Sequence, residues 1–238
     1  GELRAGAVVL AVNHAASGVR PLRRLLSVAS SHIVLTEPVP DVLERVGWTG
    51  GEALSDCRTM LHYFRTTPDG RIAFGWGGGR MALGSRRRRA LDVDREVAAR
   101  TRRDLVRVFP DLAGRRITHA WGGPIDVSPT RLAQYRTLRG GRVHAGFGFT
   151  GNGVGPTHLG GRILAALALG ERDPLTRLCI VDPPAQTFPP EPLRLAGGTA
   201  IRAAMVRQDA LADEGRRPDP VTRLVASLPR RLGMSLPR

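Results

Sequence analysis

Gly146-Phe147-Gly148-Phe149-Thr150-Gly151-Asn152-Gly153-Val154-Gly155 is the stretch on which the fold turns. It continues an apolar run, Val143 to Phe149 (VHAGFGF), that reads as a strand. It precedes Pro156 to Leu169, which reads as a helix ended by Gly170. A glycine-rich link between strand and helix lets backbone N–H groups approach a ligand and converge on negative charge at the positive helix end. Gly146-x-Gly148-x-x-Gly151 also matches a dinucleotide fingerprint, with Asp182 ending a strand-like LCIVD. The context argues against a complete nicotinamide-binding fold, because the chain after Asp182 turns proline-rich and offers no second strand–helix unit. A plain tight turn without ligand is the competing reading, since seven of these ten residues are small or flexible.

Outward from this loop the chain alternates strand and helix signals. Ala7 to Val12 (AVVLAV) is a continuous apolar run, as expected of a parallel strand buried on both faces, and it ends in the loop Asn13 to Gly18. Ser31 to Leu35 reads as a strand closed by Glu37-Pro38. Between Arg58 and Gly75, MLHYFR and RIAFG flank Thr67-Pro68-Asp69-Gly70, whose Pro and Gly supply the fixed φ and the positive φ of a tight turn. Asp92 to Phe109 reads as a helix: Asp92 or Asp94 can cap it, Val93, Val97, Thr101, Leu105 and Val108 share a face, and Pro110 stops it. Ile117 to Trp121 reads as a strand. Residues 182–198 are too proline-rich for regular structure, Ala200 to Leu211 reads as a helix, and 216–238 as a basic surface appendage.

Composition narrows the class. With 42% hydrophobic residues the chain is globular, and its longest apolar stretch, Ile163 to Leu169, is far too short to span a bilayer. The first residues show no signal-peptide pattern. They do not begin with Met and enter a strand-like run at once, so residue 1 reads as an interior point of a longer protein. Cys57 and Cys179 stand far apart without metal-like spacing, so no metal site is expected, and two buried thiols in a reducing cytoplasm are the reading. The net charge of +15 raises a basic nucleic-acid-binding protein as the rival class. Yet all 36 basic residues are Arg and none is Lys, which fits a GC-rich codon bias better than a phosphate-binding surface. The densest run, Arg86 to Arg89, reads as a solvated loop.

The sequence GFTGNGV followed by HLGGRILAALALG resembles the C-terminal flavin loop and helix of the D-amino-acid oxidase superfamily, which includes glycine oxidase. VVLAVNHAASG resembles the strand and loop that touch the cofactor ahead of the substrate domain. HYFRTTPDGRIAFGWGGG resembles the substrate-domain hairpin, and THAWGGPIDVSPTRLAQY the segment that returns to the flavin. Within the superfamily, WGG points towards amine oxidases of the gamma-glutamylputrescine type. The resemblance implies an α+β chain: part of a three-layer α/β FAD-binding domain (1–19 and 141–175), an antiparallel-sheet substrate domain (20–140) and a Pro/Arg-rich C-terminal extension (176–238). It implies FAD as cofactor, a small-molecule amine or amino acid as substrate, and hydride transfer from the carbon next to nitrogen. The flavin would be touched by Ala11, Asn13, Gly148, Phe149, Thr150, Gly151, Asn152, Gly153 and Val154. The helix N-terminus behind that loop would stabilise charge developing on the flavin.

Departures from the family pattern carry their own expectations. The glycine fingerprint for the ADP half of FAD is absent, so an N-terminal half is required and the chain alone should not hold flavin; an inactive remnant is the alternative. Amino-acid oxidases tend to carry a carboxylate-pairing Arg near WGG, where Gly122 and Gly123 stand here, which favours an amine. The Lys that speeds reaction with oxygen in sarcosine-type members is missing, and neither Cys lies where covalent flavin attaches. Tyr63 and Arg65 alternate on the hairpin and, with Trp121, are the candidate substrate contacts, against ordinary sheet packing. His14, His62, His119 and His158 are isolated and read as structural. No catalytic residue is nominated.

Overall fold

In this computed structural model, which describes residues 1–85 and 89–234, the strands sort into two sheets. Strand β1 (Val8–Leu10) is followed by a short 3-10 turn, Asn13–Gly18, and then by β2 (Ser27–Thr36), helix α1 (Pro40–Arg45) and β3 (Ala53–Ser55). After them come β4 (His62–Thr66), β5 (Ile72–Trp76), helices α2 (Arg89–Asp92) and α3 (Arg95–Val108), and strands β6 (Ile117–Val127), β7 (Gln134–Thr137) and β8 (Val143–Phe147). Helices α4 (Pro156–Leu169), α5 (Leu193–Asp213) and α6 (Pro220–Arg231) complete the order. The larger sheet is antiparallel, β3-β4-β5-β2-β6; the smaller is β1-β8-β7, with β1 parallel to β8. The architecture is α+β, as the sequence implied.

The larger sheet is two-faced because β2 alternates. Val28, Ser30, His32, Val34 and Thr36 are buried, while Ser31, Ile33 and Leu35 are only partly covered. Val34, Ile72 and Phe74 pack with Val39, Trp48, Leu105 and Leu112 on the α3 side. Asp94 caps α3, accepting from the Glu96 and Val97 amides, and Val97, Thr101 and Leu105 form its buried stripe. Val93 precedes the cap and is exposed, so it does not belong to that stripe. The β4–β5 hairpin closes through Thr67–Gly70, with Gly70 at φ 75°.

In the smaller sheet Tyr135, Ile163 and Leu164 join β7 to α4. A Cβ at Gly160 would stand 2.4 Å from the Tyr135 hydroxyl, so close helix–sheet packing requires that glycine; at Gly161 nothing lies within 4 Å. Gly170 ends α4 in the left-handed conformation.

Several expectations need correction. β1 pairs in parallel, but Val8 and Val9 are each 43% exposed rather than buried, because β1 is the edge of a three-stranded sheet. ITHAW is only the first half of β6, which runs through Gly122, Gly123 and Pro124 because β2 pairs it over its length. The proline-rich stretch ends earlier, with α5 starting at Leu193, and residues 220–231 form a helix rather than an appendage. Ala204, Met205 and Ala226 pack these two helices together over Met60. Arg202 donates to the Gly78 and Gly79 carbonyls, and Asp209 accepts from the Thr59 and Met60 amides. Cys57 and Cys179 are free but exposed, since both sit in connections outside the cores. Arg86 to Arg88 lie outside the described residues.

Candidate functional site

Register decides which side chains share the open face of the larger sheet. Tyr63, Gly75, Ile33 and Trp121 stand in one row across β4, β5, β2 and β6. Directly opposed residues project to the same face. Arg65, Ala73, Leu35 and His119 form the next row, and Ser31 and Gly123 are paired on the other side. The face is floored by small or apolar residues. The Tyr63 ring bends over Gly75, where a Cβ would meet it at 2.2 Å, and brings its hydroxyl 2.7 Å from Ser31 Oγ. Ser31 Oγ donates to the Trp76 carbonyl at 3.0 Å, so Tyr63 is the donor to Ser31. Burial raises the Tyr63 pKa against that hydrogen bond, which keeps it a neutral donor. Trp121 is 42% exposed over the same face.

The glycine-rich loop lies at the far end of this face. Val127 of β6 bridges to Phe149, so the edge of the larger sheet runs into the continuation of β8. Gly151 stands against Ile125, 3.8 Å from its Cδ1 to the position a Cβ would take. On the other side of β6, Asp126 is 1% exposed; its carboxylate accepts from Gly148 N at 2.5 Å and from Phe149 N, and its carbonyl accepts from Thr150 N at 2.9 Å. Thr150 Oγ1 donates to the Gly148 carbonyl and accepts from Ser128 N. Gly148 (φ 82°), Thr150 (φ 55°) and Gly151 (φ 81°) are all left-handed. For a β-branched residue such as Thr150 that is an outlier costing about 1–3 kcal/mol, kept only when the surroundings over-determine it.

Behind the loop α4 starts at Gly155 with no side-chain cap and no acid in its first turn. Pro156 brings no N–H, and the Thr157 and His158 amides donate to the Gly153 and Gly155 carbonyls, so what the helix start offers an anion is its positive dipole end. Val154 at the loop tip is 97% exposed. Asn13, itself at φ 50°, opens the turn after β1; Ala11 precedes it, and this turn packs on β6 and β8. His14 in the same turn lies close enough to Asp126 to favour its ionised form. Burial is the larger effect and holds the Asp126 carboxyl above the usual range.

A model of the family described as FAD dependent oxidoreductase matches residues 1–167. The chain belongs to the FAD-dependent oxidoreductase family. An oxidoreductase named OrdL from Rhizobium meliloti is 34% identical over 80% of this chain and 38% of its own length. The gamma-glutamylputrescine oxidoreductase of Escherichia coli is 29% identical over 73% of this chain and 39% of its own length. The chain thus spans under two fifths of these relatives. Among solved structures, glycine oxidase from Geobacillus kaustophilus superposes with a TM-score of 0.57 over 73% of this chain and 44% of that chain, at 18% identity. A fructosyl peptide oxidase reaches 0.65 over 82% of this chain and 49% of that chain, at 13% identity. These neighbours share the fold.

This family uses FAD. An uncapped helix N-terminus suits an anionic or electron-rich edge, and at Gly153 a Cβ would make only ordinary contact with Phe149, so the approach from outside is open. Of the residues the sequence singles out, Ala11, Asn13 and Gly148 to Val154 gather around β6 and the start of α4. Tyr63 and Trp121 share the adjoining face. Trp121 is four strand residues from Ile125, about 13 Å at roughly 3.3 Å per residue. The Tyr63 hydroxyl reaches Ser31, nearer the loop than its backbone. Arg65 does not join them. It stands three strands over and six residues along from Ile125, about 24 Å by the usual strand spacings. Its Nε donates to the Thr66 carbonyl, and it lines a separate groove of about 390 Å³ with Trp48 and Pro68.

His62 is structural, 2% exposed between Asp56 and Asp104. Sequence reasoning missed Ser31, Ile125 and Asp126. The only signal for Asp126 was an acid inside an apolar strand pattern, where Asp is rare and, when buried, needs partners.

Proposed function

We propose that this chain forms the substrate face and the flavin-ring loop of an amine oxidoreductase. The observation that carries the reading is the uncapped α4 N-terminus and its left-handed loop, set at the end of an open sheet face bearing Tyr63 and Trp121. Bound there, FAD would supply the hydride acceptor. The backbone N–H groups of Gly151, Gly153 and Val154 and the positive end of the α4 dipole would face the negative charge of the reduced ring system. Trp121 would wall the substrate space, and the Tyr63 hydroxyl, oriented by Ser31, would set the approach of the C–N bond to be oxidised.

The domain division proposed is 1–19 with 141–175, 20–140 and 176–238. The two sheets favour it except at β7, which falls within 20–140 yet joins the smaller sheet, and 176–238 packs on the rest through α5. An amine substrate is favoured because no Arg stands in the row of Trp121, and Arg65 is turned to another groove; a buried carboxylate would need such a partner. The relatives' greater length supports a requirement for an N-terminal half to bind the ADP end of FAD. Exposed free thiols suit a reducing compartment such as the cytoplasm.

The test is flavin retention. The 238-residue chain should purify colourless even with excess FAD, and the chain joined to its N-terminal half should be yellow and oxidise amines. A stoichiometric flavin complex of the chain alone would overturn the required half; a joined protein that stays colourless would overturn the function.

A further inference from the structure

We propose that Asp126 is the positioning residue of the flavin loop: its buried carboxylate holds the Gly148 and Phe149 amides and so fixes the left-handed turn that aims Thr150 to Val154. The inference rests on the reading of that loop as a flavin contact.

Three observations carry it. First, the turn is gripped from both sides of one strand. Ile125 meets Gly151 on the open face, and Asp126 takes Gly148 N, Phe149 N and, through its carbonyl, Thr150 N on the other. Second, the local sequence cannot hold this shape alone, because Thr150 is β-branched and left-handed. Third, none of the ion pairs among the described residues neutralises Asp126; backbone amides and the neighbourhood of His14 are its support. A buried carboxylate held this way is an expensive device where a neutral side chain of equal shape would serve packing as well. The ionised form matters because a carboxylate can accept at both oxygens, whereas the Asn amide has one acceptor and one donor group.

Stability and loop geometry should therefore separate in Asp126→Asn. At neutral pH burial disfavours the ionised carboxyl, so Asn removes that cost while leaving a backbone donor less well paired. The two oppose each other, and the melting temperature should change little. The Gly148 and Phe149 amides should exchange at least about tenfold faster, and the intact flavoprotein should bind flavin at least about tenfold more weakly. Amide exchange is measured residue by residue, flavin affinity by titration into the stripped protein. A fall in melting temperature together with flavin affinity would make Asp126 merely structural and overturn the proposal; unchanged exchange and affinity would overturn it equally. Should Asp126→Asn fail to fold, the unsubstituted protein still decides. Its Gly148 and Phe149 amides should be protected at least about tenfold over Gly151, and equal exchange would refute the grip. If the unsubstituted intact protein binds no flavin, the functional reading fails while the exchange comparison still judges Asp126.

Discussion

The ring of Tyr63 lies across Gly75, with Cε2 and Cζ each 2.2 Å from where a Cβ on residue 75 would stand. That glycine lets the phenol reach over β5 to Ser31 on β2. Gly75→Ala should push the ring off the face and break the Tyr63–Ser31 hydrogen bond. Overpacking of this kind costs about 1–3 kcal/mol of stability. The loss in kcat/KM should be about tenfold or more, as expected when an oriented hydrogen bond is lost. Tyr63→Phe should lose activity with little change in stability. Steady-state kinetics and thermal melts on both variants check this; an active Gly75→Ala protein would show that Tyr63 has no part in the reaction.

Gly153 and Gly151 should respond differently to valine. Gly151 is left-handed, so Val adds about 1–2 kcal/mol of backbone strain to any steric effect on the cofactor. At Gly153 a Cβ makes only ordinary contact, so Gly153→Val should melt normally yet retain little flavin in the intact protein. The ratio of flavin to protein absorbance reads the outcome; full retention in Gly153→Val would make the loop an ordinary turn.

Arg65 should be silent towards substrate class. Amine and amino-acid substrates differing only in the carboxylate should be turned over with kcat/KM favouring the amine. Arg65→Ala should leave that preference unchanged within about twofold, since a remote residue contributes no differential binding. Collapse of an amino-acid preference in this variant would instead make Arg65 the carboxylate partner.

Acid should loosen the packing of α3 on β4. Burial alone would raise the Asp104 carboxyl, but the His62 hydrogen bond and the nearby Arg100 and Arg107 hold it below the ordinary range. A depressed folded-state pKa means that this stabilisation is present above the unfolded value, about 3.9, and is lost as pH falls through the folded one. Asp104→Asn should cost about 1–3 kcal/mol at pH 7 and flatten the acid limb of the stability curve. Denaturant melts between pH 7 and pH 3 measure both; an acid limb of unchanged steepness would assign it to other carboxylates.

Both thiols should react with a chromogenic disulfide reagent in the folded protein, because Cys57 and Cys179 are exposed and free. Two equivalents released without denaturant is the expected count, and fewer would mean that the chain's partner region covers one of them.

The sequence by itself determined the features governed by residues a few positions apart. Asp94 could be recognised as a cap, Pro68-Asp69-Gly70 as a turn, and Pro156 to Gly170 as a helix with a left-handed end, because capping, turn and helical spacing all act within about four residues. The GFTGNGV loop between strand and helix was legible for the same reason, and with it the family. Tertiary structure alone decided the rest. Tyr63 meets Trp121 in one row only through the registers of three strand pairs, and Arg65 leaves that row for another groove by the same registers. β1 lies exposed because of its edge position, and α6 forms against α5 although its sequence alone suggested a basic tail. Asp126 and Gly148 lie 22 residues apart, and no local pattern links a strand acid to a distant turn. Pairing across such separations is set by which buried faces fit together, and that fit belongs to the folded chain as a whole.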